Sequence, residues 1–219
     1  MEGILKKLQD SMYEGNKVEV ERLAREALSS GIEPLKVIEE GMKPGLTRVG
    51  DAFETGDLFL PELVGAGDAA LAVSNIIEEV LGKGQEIPYK GTFAIGTVKG
   101  DIHTIGKGLV TTMMRANGFK VIDLGVDVSP EEFLEVADKV EAIGLSSLLS
   151  LSTKSMEETI KKVSPKYPDV VIIIGGAAVD PALAKAFGVL YGADAASAPR
   201  IVEENLRQRG DSHHDETKN

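Results

Sequence analysis

A chain of 219 residues is long for one average domain and comfortable for two small ones. Its hydrophobic content of 42% with 5% aromatics describes an ordinary globular protein, and its formal net charge of -11 opposes nucleic-acid binding, which needs lysine and arginine to neutralise phosphates. With no cysteine, the chain excludes disulfides, thiolate catalysis and cysteine-ligated clusters of its own. No apolar run approaches the roughly 20 residues that span a bilayer. Met1–Lys7 lacks the apolar core of a secretory signal. The expectation is a cytoplasmic protein with no membrane or nucleic-acid partner.

From Ile4 to about Leu81 apolar residues recur at three- and four-residue spacing, as in Val20, Leu23, Ala24, Ala27 and Leu28, without a β-branched run. Four helices are predicted, over 2–13, 17–30, 34–54 and 60–81. Gly15-Asn16, Gly31 and Gly56-Asp57 separate them, Pro34 and Pro61 suit first turns, and Pro44 is expected to kink the third. Residues 82–91, with three glycines and a proline, break the period and read as a linker.

Short apolar runs then alternate with helical ones. Strands are predicted at 92–98, 120–124, 142–147, 170–175 and near 188–191, and helices at 105–117, 130–140, 155–164, 181–187 and 196–208. Ser129-Pro130-Glu131-Glu132 and Ser155-Met156-Glu157-Glu158 have the form of capping boxes, and Asp180-Pro181 that of a helix start. Alternating β and α units imply a parallel sheet covered on both faces. The expected fold class is α/β: a four-helix bundle followed by a flavodoxin/Rossmann-like parallel five-stranded sheet. The domains are residues 1–88 and 89–208, with a disordered polar tail over 209–219. In the order 2-1-3-4-5 the first and third strands are neighbours at the switch point where ligands bind.

His103 is the one histidine outside the extreme C-terminus. It follows the first predicted strand, two residues after Asp101, a carboxylate able to hold one ring nitrogen and fix the tautomer. One histidine and one aspartate do not make a zinc site, which takes three or four protein ligands. A metal that brings most of its ligands with it needs only one. Without further support, Asp101 can also be a plain helix cap and His103 a loop residue.

The segment Gly96-Thr97-Val98-Lys99-Gly100-Asp101-Ile102-His103-Thr104-Ile105-Gly106-Lys107 resembles the Asp-x-His-x-x-Gly fingerprint of cobalamin-dependent methionine synthase and of the small corrinoid proteins of methyltransferase systems. Two further matches follow in the family's order, Gly144-Leu145-Ser146-Ser147-Leu148-Leu149-Ser150-Leu151-Ser152 and Ile174-Gly175-Gly176-Ala177-Ala178. Val49-Gly50-Asp51-Ala52-Phe53 with Leu58-Phe59-Leu60-Pro61-Glu62-Leu63 resembles the family's helical cap. Together the matches cover residues 1 to 205.

The resemblance implies a cobalamin or related corrinoid, carried as methylcobalamin in the base-off/His-on form, with His103 as axial ligand to cobalt. Asp101 would hold the other ring nitrogen and Ser152 would support Asp101, these three being the catalytic set. Gly100, Ile102, Thr104 and Leu148 would lie against the cofactor. Gly106, Ser146, Ser150, Gly175, Gly176, Ala177 and Ala195 would form the slot for its nucleotide tail. Phe53, Leu60 and Leu63 would cover its upper face, and Glu40, aligned across a gap, would stand near it. On the residues alone, Phe53, Leu60 and Leu63 can equally be bundle core, and Gly175-Gly176 a strand-to-helix turn. The spacing of Thr97, Lys99 and Lys107 assigns them no task, and His213-His214 read as solvated tail.

The function so implied is a methyl carrier of one-carbon metabolism, not an enzyme on its own. It would take a methyl group from a substrate-specific corrinoid methyltransferase, whose donor could be methanol, a methylamine, betaine or an aromatic methyl ether. It would pass that group to a second methyltransferase with a tetrahydrofolate or thiol acceptor, and depend on a reductive activase. The alternatives are the small subunit of an adenosylcobalamin mutase, which resembles only the C-terminal half, and a cobalamin-dependent sensor.

Overall fold

The computed structural model describes residues 2–81 and 89–216; the expected linker lies mostly outside the described residues. Two compact units divide after Tyr89, with Arg115–Gly118 grouped with the first.

The first unit is helical: α1 (Glu2–Tyr13), α2 (Lys17–Ser29), α3 (Pro34–Lys36), α4 (Lys43–Thr55) and α5 (Leu60–Leu81). Asn16 starts α2 by accepting the Glu19 N–H, and Val20, Leu23, Ala24 and Ala27 are its buried face. The predicted third helix is one continuous rod whose centre, Val37–Met42, is π-helical and joins α3 to α4. The irregularity therefore lies in the turn just upstream of Pro44, which brings no N–H to the rod, and the Glu40 carbonyl there accepts Gln9 Nε2. Where α1 meets this rod there is no room for side chains. A Cβ on Gly41 would stand 2.6 Å from Leu8 and one on Gly45 2.8 Å from Met12.

The second unit alternates β1 (Thr92–Val98), α6 (Ile105–Ala116), β2 (Lys120–Val128), α7 (Pro130–Val136), β3 (Ala142–Ser146), α8 (Thr153–Val163), β4 (Val171–Gly175), α9 (Pro181–Phe187), β5 (Leu190–Gly192) and α10 (Ala198–Glu216). The strands are parallel in the order β2-β1-β3-β4-β5, so β1 and β3 lie side by side. Both faces are covered. Ala94, Val98, Phe133, Ile143, Met156 and Ile174 belong to one buried cluster, and Phe93, Ile95, Met114, Ala142, Ile173 and Val202 to the other. This is the α/β class expected from the alternation.

Local signals held at some helix ends and failed at others. Ser129 and Glu132 form the expected reciprocal capping box, and Asp180 accepts the Leu183 N–H. The second expected box does not form. The hydroxyls of Ser152 and Thr153 donate back to the carbonyls of Leu149 and Ser150, making a 3₁₀ turn that starts α8 at Thr153. Ser155 is thereby drawn inside the helix, its Oγ buried without a partner. β2 runs to Val128 rather than 124, and α10 continues to Glu216 where a helix end at 208 and a disordered tail were expected.

At the carboxyl ends of the strands the loop after β4 is clasped to the loop after β3. Ser147 donates its N–H to the Gly175 carbonyl at 3.0 Å, and the Ser147 carbonyl accepts the Ala178 N–H at 3.3 Å. Gly176 passes so close to this carbonyl, with φ of 110°, that a Cβ would lie 2.1 Å from the Ser147 oxygen. Gly176→Ala is therefore expected to cost at least about 2 kcal/mol, from left-handed strain and overlap together. A lowered urea midpoint with an unchanged slope is the measurement that checks it.

Candidate functional site

The site begins where β1 ends. Thr97 is buried and its hydroxyl donates to the His103 carbonyl at 2.7 Å, tying the far end of the loop back to the strand. Between them Gly100, with φ of 85°, turns the chain so that the Asp101 side chain points inward. Asp101 is fully buried. Its Oδ1 accepts the His103 N–H at 3.0 Å and lies 2.8 Å from His103 Nδ1. Its Oδ2 accepts the N–H groups of Leu148 at 2.6 Å and Leu149 at 3.1 Å, in the loop that follows β3.

The hydroxyls of Ser147 and Ser152 stand 3.5 Å from Oδ2 and 2.6 Å from each other. Ser152 has one hydrogen, and its shorter bond is to the Leu149 carbonyl at 2.7 Å. The 2.6 Å bond between the hydroxyls then takes the hydrogen of Ser147, so the serines support Asp101 chiefly by shaping the loop. Backbone N–H groups are the direct donors, and no side-chain pattern in the sequence could have named them.

Burial pushes the Asp101 carboxyl up, but the four hydrogen bonds from His103 and from Leu148 and Leu149 outweigh it and hold the group well below the usual carboxylate range. Asp101 is thus an anion at neutral pH. An anion beside Nδ1 accepts its proton, which leaves the Nε2 lone pair of the half-exposed His103 ring available to a metal. Among the described residues no three His, Asp or Glu side chains converge as a bare metal ion would need. One well-oriented imidazole nitrogen suits a metal already held in a macrocycle.

Around the histidine the loops after β1 and β3 expose Ile102, Ile105, Leu148, Leu149 and Leu151, the last 94% accessible. Ile102 and Leu148 were expected in the site; the other three were not, because an isolated leucine in a loop carries no periodic signal. A cavity of about 570 Å³ opens at the same end of the sheet. Gly106, Ser146, Gly175, Gly176, Ala177 and Ala195 line it. Ser150 and Leu148 do not; Ser150 is exposed, and its carbonyl accepts the Thr153 hydroxyl. Thr104 is exposed and starts α6 by accepting the Gly108 N–H at 2.8 Å.

Gly176 is explained by the clasp on Ser147, but Gly106 is not explained by the protein. It is the second residue of α6, no atom beyond its own helical turn is within 4 Å of where its Cβ would be, and glycine is a poorer helix former than alanine by up to about 1 kcal/mol. Its absent side chain faces a cavity that a ligand can use. The residues present therefore fit a corrinoid: one axial nitrogen, an apolar apron and a slot of small residues.

In the helical unit Leu63 is fully buried and Phe53 half-buried, and the side chain of Leu60 lies outside the described residues. The exposed apolar residue of that stretch is Phe59, 70% accessible. Glu40 sits in the π-helical turn. Its carbonyl accepts Gln9 Nε2 at 2.7 Å, and its carboxylate lies 3.6 Å from Lys36.

Because the folded-state pKa of Asp101 is depressed, its contribution to stability is complete above the unfolded value near 3.9 and is lost as pH falls toward the lower folded value. Asp101→Asn is expected to lower apoprotein stability at pH 7 by about 1–3 kcal/mol. It should also flatten the loss of stability below about pH 4, where the wild type declines. Urea unfolding from pH 7 to 2.5 measures both effects.

Comparison with known proteins agrees with this geometry. Two B12 binding domain models match the chain, one over residues 91–202 and one over residues 4–78. Trimethylamine corrinoid protein 2 of Methanosarcina acetivorans is 35% identical over 213 residues, covering 94% of this chain and 98% of its own length. Dimethylamine corrinoid protein 2 of the same organism is 36% identical over 210 residues, with 94% and 97% covered. Among solved structures, the methanol:cobalamin methyltransferase complex MtaBC of Methanosarcina barkeri superposes with a TM-score of 0.83 at 27% identity, over 94% of this chain and 80% of that one. A cobalamin-binding protein of Desulfitobacterium hafniense superposes with a TM-score of 0.67 at 26% identity, covering 92% and 98%. Matched over nearly its whole length by corrinoid proteins and in both halves by B12 binding domain models, the chain belongs to the B12-binding corrinoid protein family.

Proposed function

We propose that this chain is the methyl-carrying corrinoid subunit of a multi-component methyltransferase system. The observation that carries the reading is the buried Asp101 carboxylate holding His103 Nδ1, so that Nε2 is presented among exposed apolar side chains. His103 Nε2 would be the lower axial ligand, and the cavity lined by Gly106, Ser146, Gly175, Gly176, Ala177 and Ala195 would receive the nucleotide tail. Bound there, a corrinoid supplies a cobalt centre able to accept and release a methyl group.

The chain's own residues orient and insulate that centre. Asp101 keeps the ring proton at Nδ1, the N–H groups of His103, Leu148 and Leu149 keep Asp101 ionised, and Ser147 and Ser152 hold the loop that presents two of them. The exposed Ile102, Ile105 and Leu151 would offer a bound macrocycle an apolar bed and keep water from it. Phe53, Leu60 and Leu63, with the exposed Phe59, belong to the unit that would cover the opposite face. The match of a B12 binding domain model to residues 4–78 supports that covering role. It also favours the carrier over a mutase small subunit, which resembles only the C-terminal half.

The likeness to MtaBC supports a substrate-specific methyltransferase as one partner. The names of the relatives favour a methylamine or methanol donor. A second methyltransferase with a tetrahydrofolate or thiol acceptor would complete the transfer. The absence of cysteine supports a separate reductive activase. No helix among the described residues is long and apolar enough to cross a membrane, which is consistent with action in the cytoplasm.

Reconstitution with methyl- or hydroxocobalamin is expected to give a protein that retains the corrinoid with a histidine-ligated visible spectrum. His103→Ala should lose the corrinoid or shift it to a base-off spectrum, and a wild type that retains none refutes the carrier. Gly106→Leu separates binding from folding. The apoprotein should gain up to about 1 kcal/mol, because a better helix former meets open space, while the retained corrinoid falls severalfold. Thermal unfolding of the apoprotein and the corrinoid-to-protein absorbance ratio report the two effects.

A further inference from the structure

Asp127 is the only non-glycine residue among those described with positive φ, at 55°. A non-glycine residue held in that region costs of order 1 kcal/mol and persists only where its surroundings impose it. The surroundings here are the loop that carries His103. Asp127 Oδ1 accepts the Gly100 N–H at 2.7 Å, and the Asp127 N–H donates to the Asp101 carbonyl at 2.9 Å. One residue of β2 thus engages both peptides that flank the turn into the buried Asp101.

The strand is built to bring it there. β1 pairs with β2 in simple register from Thr92↔Lys120 to Ile95↔Asp123, after which β2 gains a residue before Gly96↔Gly125 and another before Val98↔Val128. These two irregularities let β2 end opposite the last residue of β1, Val98↔Val128, with Asp127 beside the loop that follows. The same strand holds the far end of the loop, where Lys107, nearly buried, places its Nζ 2.5 Å from both oxygens of Asp123. Asp123 Oδ1 also accepts the Gly125 N–H at 2.9 Å. The His103 loop is therefore pinned at both ends by aspartates of one bulged edge strand.

We propose that Asp127 is a positioning residue for the axial ligand, fixing the Gly100–Asp101 peptides so that His103 presents Nε2 at the angle and depth a bound corrin requires. It touches neither cofactor nor ring, and acts only through the loop. The inference rests on the carrier reading above. The side chain is exposed, so the effect is that of one hydrogen bond to a charged acceptor in partial competition with water.

The test uses the full chain reconstituted with methylcobalamin, at the pH where the wild-type visible spectrum is half histidine-ligated and half base-off. Asp127→Gly loses the bond to Gly100 but also the left-handed strain, on the order of 1 kcal/mol, so thermal unfolding of the apoprotein should stay close to wild type. The ratio of ligated to base-off corrinoid should fall roughly tenfold. Asp127→Asn, which tolerates positive φ and offers a neutral acceptor about half as strong, should lower it roughly threefold. In the apoprotein, amide exchange at Gly100 should accelerate in the same order. If Asp127→Gly does not fold, Asp127→Asn alone decides. Wild-type ratios in the folded variants overturn the proposal, even where Gly100 exchange has quickened. A wild type that takes up no corrinoid overturns the carrier reading instead, and this inference with it.

Discussion

A single buried charge organises the loops at the carboxyl ends of β1 and β3. The Asp101 carboxylate has no access to water, and an ion so placed is tolerated only if its lone pairs are met by donors. The donors come from two segments far apart in sequence, the turn into α6 and the loop after β3. The carboxylate can be satisfied only if β1 and β3 are adjacent and both loops are formed. Ligand geometry and loop folding are thus one event. The same bonds that keep the carboxylate an anion at neutral pH orient the imidazole.

Around that charge the structure is stiff by layers. Ser147 and Ser152 bond each other and the Leu149 carbonyl, which shapes the loop so that two successive N–H groups aim at Asp101. Behind them the passage of Gly176 over the Ser147 carbonyl ties the loop to β4. On the other side Thr97 anchors the His103 peptide to β1, and β2 reaches over through Asp127. Thr97 and Lys107 belong to the sequence fingerprint yet had no readable task. Their partners, the His103 carbonyl and Asp123, explain their presence as loop anchors.

The contrast between glycines shows how a fold separates architecture from ligand space. Gly176, Gly144 and Gly96 are demanded by the protein, since an added Cβ would collide with Ser147, Phe93 or Phe133. Gly106 meets nothing, so its cost to the helix has no return within the apoprotein. In a sequence these glycines look alike. The distinction between packing and accommodating a ligand appears only when their neighbours are known.

The alternating apolar runs, the break near residue 82 and the Asp-x-His-x-x-Gly segment sufficed for the class of both units, the strand order and the pairing of Asp101 with His103. Each rests on local periodicity, on connection rules or on residues two apart. Helix starts were legible where one side chain had one choice, as at Ser129 and Asp180. They were misread at Ser155, where neighbouring hydroxyls competed by bonding backward. Three things were decided only by the tertiary structure: the backbone donors to Asp101, the burial of Leu63 beside an exposed Phe59, and the bonds from bulged β2 to the His103 loop. Backbone N–H groups have no sequence identity, burial depends on which face a neighbour covers, and a β-bulge is a property of two paired strands rather than of either alone.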